Sequence, residues 1–150
     1  MVEVPVVIAS FAPLAAFWEP LAEEAGYMVV LHGPTKVDVF PIGCRRQIQP
    51  PWVLSAETLG QIDGHFWDWC LWLGGKTLRN ERELVADELM KMHAFLLGPI
   101  GVAAAPNDLE EALAVYLRAR ASAMDTLGVF VDPELGNQVS DALRRHRVIS

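Results

Sequence analysis

Cysteine is nearly absent. Cys44 and Cys70 are the only two in 150 residues and form no CxxC pair, so the spacing supports neither a zinc knuckle nor a disulfide framework and fits a reducing compartment. Basic residues are also few: twelve lysines and arginines stand against nineteen aspartates and glutamates, a formal charge of -7. That balance argues against a nucleic-acid surface, because phosphate binding draws on clustered cations and the counterions they release. The one dense basic run, Arg144 to Arg147, closes the last expected helix. No apolar run reaches the roughly 18 to 20 residues a membrane helix needs. The start, Met1 to Ser10, contains Glu3 and Pro5 and lacks a basic lead, which disfavours a signal peptide. These absences lead us to expect a soluble, cytoplasmic protein with no nucleic-acid and no membrane partner. There is also no GxGxxG and no P-loop, since Gly74-Gly75-Lys76-Thr77 matches only the tail of a Walker A motif and does not follow a strand.

What is present is apolar. A hydrophobic fraction of 52% with five tryptophans predicts a well-filled core in a chain of one-domain size. Val2 to Ala9 is rich in β-branched residues and reads as a strand, with a helix opened by Pro13, interrupted near Pro20 and stopped by Gly26. Tyr27 to Leu31 and Lys36 to Phe40 flank His32-Gly33-Pro34-Thr35, a spacing that predicts an antiparallel hairpin. Pro41 to Trp52 shows no periodicity and reads as a linker. Helical spacing then takes over, with Ser55 as N-cap and a break at Gly64. A helix is expected over Glu81 to Leu97 with Asp87 and Lys91 paired four residues apart, another after an Asp108/Glu111 capping box, and a last one opened by Asp132-Pro133. The expected fold class is α+β: about three strands, then a bundle of four to five helices. Residues 1–43 form the β-containing portion, 44–54 a linker and 55–150 the bundle.

Two carboxylates stand out. Asp38 lies inside an apolar strand and shares a face with Lys36 and Phe40 under a period of two. It is either one half of an exposed Lys36/Asp38 pair or a metal-binding carboxylate on a rigid strand. Asp68 belongs to a stripe of His65, Asp68, Trp69, Trp72 and Lys76 at helical spacing. It is either a core helix edge in which Asp68 pairs with Lys76 or His65, or a surface where tryptophan faces stack on a ligand and the carboxylate receives a proton or an ammonium group. His32, His93 and His146 are too widely spread for a local metal motif.

Tyr27 through Phe40, then His65-Phe66-Trp67-Asp68-Trp69, then Glu88-Leu89 and Leu96-Leu97-Gly98-Pro99, in that order and spacing, resemble bacterial nucleotidyltransferases of the aminoglycoside adenylyltransferase-like kind. The resemblance spans about Tyr27 to Val102. It implies Mg²⁺-dependent nucleotidyl transfer from ATP to a small-molecule hydroxyl, with Asp38 as a catalytic, metal-binding carboxylate. It also implies that His65, Trp67, Asp68 and Lys76 line the substrate cleft. The Gly-Ser loop and Asp-x-Asp pair that precede the hairpin in that family have no counterpart before Asp38. Either those strands lie upstream of Met1, or the helical half alone was kept. The chain by itself is therefore expected to be incomplete or inactive as a transferase, binding at most a nucleotide or small-molecule ligand. The alternative is a non-catalytic helical binding or oligomerisation module that self-associates through the bundle, the apolar surface left by the missing strands and an unprotected sheet edge, so that a homo-oligomer is expected. A third reading makes Asp38 and Asp68 an acid/base pair in an unrelated α+β enzyme.

Overall fold

The computed structural model describes residues 4–19, 26–39 and 52–150. The linker expected at 44–54 lies mostly outside them, as do Phe40, Cys44 and the interruption expected near Pro20. A short helix α1 (Val4–Ala9) is followed by strands β1 (Ala15–Glu19), β2 (Gly26–Leu31) and β3 (Thr35–Val39). Helices α2 (Leu59–Leu78), α3 (Arg82–Met92), α4 (Leu109–Leu127) and α5 (Glu134–Arg145) come next, α3 running into a π-helical turn at His93–Leu97. The α+β class, a three-stranded sheet followed by a helical bundle, is as expected.

The expected hairpin is present. β2 and β3 pair antiparallel from Tyr27 opposite Val39 to Leu31 opposite Thr35, leaving His32, Gly33 and Pro34 in the turn. Gly33 has φ +113, a region where a Cβ is strained, which explains why glycine stands there. The third strand is not where it was expected. Val4–Ala9 is helical, and the segment after Pro13 is β1, paired antiparallel with β2 from Ala15 opposite Val30 to Glu19 opposite Gly26. A short run of consecutive apolar residues has no decisive period, so partners elsewhere in the chain decide its conformation. β2 supplies that partner for β1, starting with the Leu14 N–H donated to the Val30 carbonyl at 2.8 Å. Gly26 thus opens a strand rather than stopping a helix.

β2 is the central strand, and the period of two sends its side chains to opposite faces. Val30, fully buried, joins the bundle core, while Val29 and Leu31 line an apolar groove with Val7, Ile8 and Phe11 on the other face. Lys36 and Asp38 stand opposite Val30 and Met28, and so face the bundle.

α2 is the axis of the molecule. Every residue from Ile62 to Asp68 is buried, which a helix tolerates only when neighbours surround it. It runs unbroken through Gly64, because burial on all sides outweighs the roughly 1 kcal/mol that an internal glycine costs. Ser55 caps the turn that leads into α2 and exchanges hydrogen bonds with Thr58 at 2.9 and 3.2 Å. Asp108 caps α4 by accepting from the Glu111 N–H at 2.8 Å, and Asp132 accepts from the Glu134 N–H at 2.9 Å at the head of α5. α5 crosses α2 at Gly136, where a Cβ would stand 2.6 Å from Cζ2 of Trp67. Only glycine allows that approach.

Candidate functional site: the cleft between hairpin and bundle

The segments that carry the resemblance meet in space. The Lys36 ammonium lies 2.9 Å from Oδ2 of Asp68 and 3.7 Å from Oδ1 of Asp38, so one cation on β3 joins the strand carboxylate to the helix carboxylate. The Asp68 side chain is 5% exposed and that of Asp38 38%. Asp68 thus takes a partner 32 positions away rather than Lys76, whose ammonium binds Glu81 at 3.0 Å and sits 5.1 Å from the centre of the Trp72 ring. Lys91 likewise pairs with Glu88 at 2.6 Å, three residues away, instead of Asp87. Glu88 also accepts from Trp69 Nε1 at 3.0 Å.

His65 is buried with its ring 5.3 Å from that of Trp52. Trp67 is 1% exposed, edge-on to Phe66 and Tyr116. Asp38, Asp68 and Lys36 therefore come together, while Lys76 stands eight residues further along α2, about 12 Å at helical rise, and Trp67 is part of the core. Burial holds the Cys70 thiol well above its ordinary value, reinforced by the Asp68 charge, so it packs as a small apolar group.

Among the described residues no three His, Cys, Asp or Glu side chains stand close enough to hold a metal ion, and the Lys36 ammonium already occupies the space between the two carboxylates. A divalent ion needs several oxygens arriving together. The described residues do not fit Mg²⁺.

A different carboxylate organises the bundle. Asp63, 3% exposed, accepts on Oδ1 from Trp67 Nε1 at 3.2 Å and from the Tyr116 hydroxyl. The same oxygen lies 2.8 Å from Nε of Arg120. Among the described residues, these contacts all end on Oδ1. Burial raises the Asp63 carboxyl above its ordinary value, and the Tyr116 bond, the Arg120 charge and the Trp67 bond offset part of that rise. Burial also carries the Tyr116 phenol well above its ordinary value, with the Asp63 charge adding to the effect. Arg120 reaches further: its Nη2 donates to the carbonyls of Val131 at 2.9 Å and Asp132 at 3.2 Å.

Asp63 lines a cleft of about 570 Å³. One wall comes from the segment around Ala15 and the hairpin turn at His32, the other from Val131, Asp132, Glu134 and Leu135 at the head of α5, with Glu57 at the entrance of α2. Among the described residues the lining includes four carboxylates and no lysine or arginine. Gln138 ties the walls together: it accepts from the Gly33 N–H at 3.4 Å, lies 3.3 Å from Nδ1 of His32 and donates to Glu134 at 2.7 Å. None of Asp38, His65, Trp67, Asp68 and Lys76 lines this cleft. The sequence did carry a signal for its floor, because Asp63/Trp67 and Tyr116/Arg120 are both spaced by four on helices.

Fold and site together define a small α+β domain with an acidic cleft between its sheet and its helices. No protein-family model, no curated protein and no solved structure matches the chain. Among the described residues, no helix is long and apolar enough to cross a membrane.

Proposed function

We propose that this chain is nucleotidyltransferase-like and that, as it stands, it is the binding side of such a protein. It holds a cationic, hydroxyl-bearing small molecule of the aminoglycoside kind and does not carry out transfer from ATP by itself. The observation that carries this reading is the cleft. Among the described residues its lining has carboxylates from three directions, one histidine and no lysine or arginine, and Asp63 beneath it keeps Oδ2 clear of the network that occupies Oδ1. Such a lining attracts ammonium groups and repels a triphosphate. The convergence of β3 and α2 at Lys36 supports taking the resembling segments as one unit.

Isothermal titration of the purified chain with the aminoglycoside kanamycin and, separately, with Mg-ATP tests this. Kanamycin is expected to bind, more weakly as salt rises and not at all after Asp132→Asn with Glu134→Gln. Mg-ATP is expected to leave no heat signal. Absence of kanamycin binding would overturn the acceptor reading, whereas Mg-ATP binding weakened by Asp38→Ala would restore a catalytic role to that carboxylate.

A second reading, self-association with another copy of this chain, is favoured by the opposite face of the sheet. There α1 and the strands leave an apolar groove of about 330 Å³ beside the half-exposed Phe11, Val7 and Val37. β1 and β3, at the two ends of the strand order, are edges able to pair. Sedimentation equilibrium decides it: a dimer that Phe11→Ser dissociates is expected, and a monomer at high concentration would dismiss it.

A further inference from the structure

We infer that Asp63 and Arg120 form a latch beneath the cleft, in which the arginine joins the carboxylate on α2 to the main chain between α4 and α5 and so fixes the wall that carries Asp132 and Glu134. The inference rests on the reading of the cleft as a ligand site and adds a means of controlling it. Three features of the geometry support it.

First, the connection has few other ties. Between Gly128 and Pro133 every residue is exposed or half-buried, and Phe130 is 78% exposed. Among the described residues the main chain there is tied at its ends by the Gly128 and Val129 N–H groups on the Met124 carbonyl, the latter at 3.2 Å, and by the Pro133 carbonyl accepting from the Asn137 N–H at 2.9 Å, and between those ends by the two Arg120 bonds. Second, α5 itself is anchored elsewhere, by Leu135, Val139 and Leu143 in the core and by Gly136 against Trp67. The connection up to Asp132 can therefore move while α5 stays docked from Leu135 onward. Third, one guanidinium makes both contacts, Nε toward Asp63 and Nη2 toward the carbonyls, a geometry that the rigid fork of arginine supplies and lysine does not.

The latch responds to protons. The groups facing Asp63 are Trp67 on its own helix, Tyr116 and Arg120 on α4, and the Asp132 carboxylate across the cleft. Glu57, Glu134 and His32 line the same cleft at exposed positions. Burial raises the Asp63 carboxyl above its ordinary value, so falling pH neutralises it. Arg120 then loses its buried counter-charge, and its hold on the Val131 and Asp132 carbonyls loosens. The connection shifts and the wall opens.

Amide hydrogen exchange and ¹³C titration of the full chain test the latch without any ligand. In wild type at neutral pH the Glu134 amide, bonded to the Asp132 carboxylate, is expected to be protected. Arg120→Gln and Asp63→Asn should each lower that protection about tenfold, the loss expected for a charged hydrogen bond, while amides of β2 keep theirs. Arg120→Lys should retain the Asp63 titration but not the protection. In wild type, acid should shift the amides of Val131, Asp132 and Glu134 with the midpoint of the Asp63 carboxyl carbon. Unchanged protection in Arg120→Gln, or acid-induced amide shifts that persist in Asp63→Asn, would overturn the latch. Should the variants lose the fold, the wild-type titration alone decides. Kanamycin titration of the same samples separates the two claims: intact latch behaviour without kanamycin binding in any sample would remove the ligand reading and leave the latch standing.

Discussion

Gly136→Ala sets two effects of opposite sign against each other. Alanine is the better helix former by about 1 kcal/mol, so on propensity alone the variant would be more stable. The new Cβ, however, would stand 2.6 Å from Cζ2, 2.7 Å from Cε2 and 3.0 Å from Nε1 of Trp67. That indole is 1% exposed, set edge-on against the stacked rings of Phe66 and Tyr116, and held by its hydrogen bond to Asp63. Relief requires moving α5 or the ring. Forcing an additional carbon into a closed core costs about 1–3 kcal/mol, and a displaced ring also weakens the Asp63 bond, worth about 1.5–3 kcal/mol when the acceptor is charged. The net expectation is a loss of about 1–3 kcal/mol, roughly 2–10 °C in Tm for a chain of this size. Thermal unfolding followed by circular dichroism reads it, with tryptophan fluorescence reporting the ring. A Tm equal to or above wild type would refute the packing described for α2 and α5.

Lys36→Met removes the cation that Asp68 shares with Asp38 and should cost about 1–3 kcal/mol, the penalty for depriving a buried acceptor of a partner, read as a lower urea midpoint. Asp108→Ala removes the cap of α4 and should cost about 1 kcal/mol in the same assay, with a normal cleft. Asp63 gives a pH signature of defined sign. Its folded carboxyl is raised above the ordinary value of 3.8, so between that value and the higher folded one the native state binds more protons than the unfolded state. Its contribution to stability therefore falls as pH rises through that window and levels off above it. The difference between wild type and Asp63→Asn in urea midpoint against pH should trace that fall, and a difference that rises with pH would contradict the burial of this group.

The hairpin was legible because Gly33-Pro34 punctuates two β-branched runs, and the turn needs the positive φ that Gly33 adopts. α4 and α5 were legible through their caps. α1 and β1 were not, since a short apolar window carries no period and the pairing of β1 with β2 is decided across the sheet. Gly64 suggested a break because propensity cannot register a helix surrounded on every side. Local spacing offered Asp68 only the partners His65 and Lys76, whereas its ion pair comes from a strand 32 residues earlier. Asp63 and Arg120 went unnoticed for the same reason, as they meet across 57 positions. The spacing by four of Asp63 and Trp67, and of Tyr116 and Arg120, was the signal available for each half of the network.

We propose the acidic cleft as the place where this protein takes hold of a cationic small molecule. Titrating kanamycin into ¹⁵N-labelled protein addresses it most directly. Saturable shifts confined to His32, Gln61, Gly64 and the segment from Val131 to Leu135, and lost in Asp132→Asn with Glu134→Gln, are predicted. Shifts spread over the apolar face of the sheet, or no shifts at all, would contradict it.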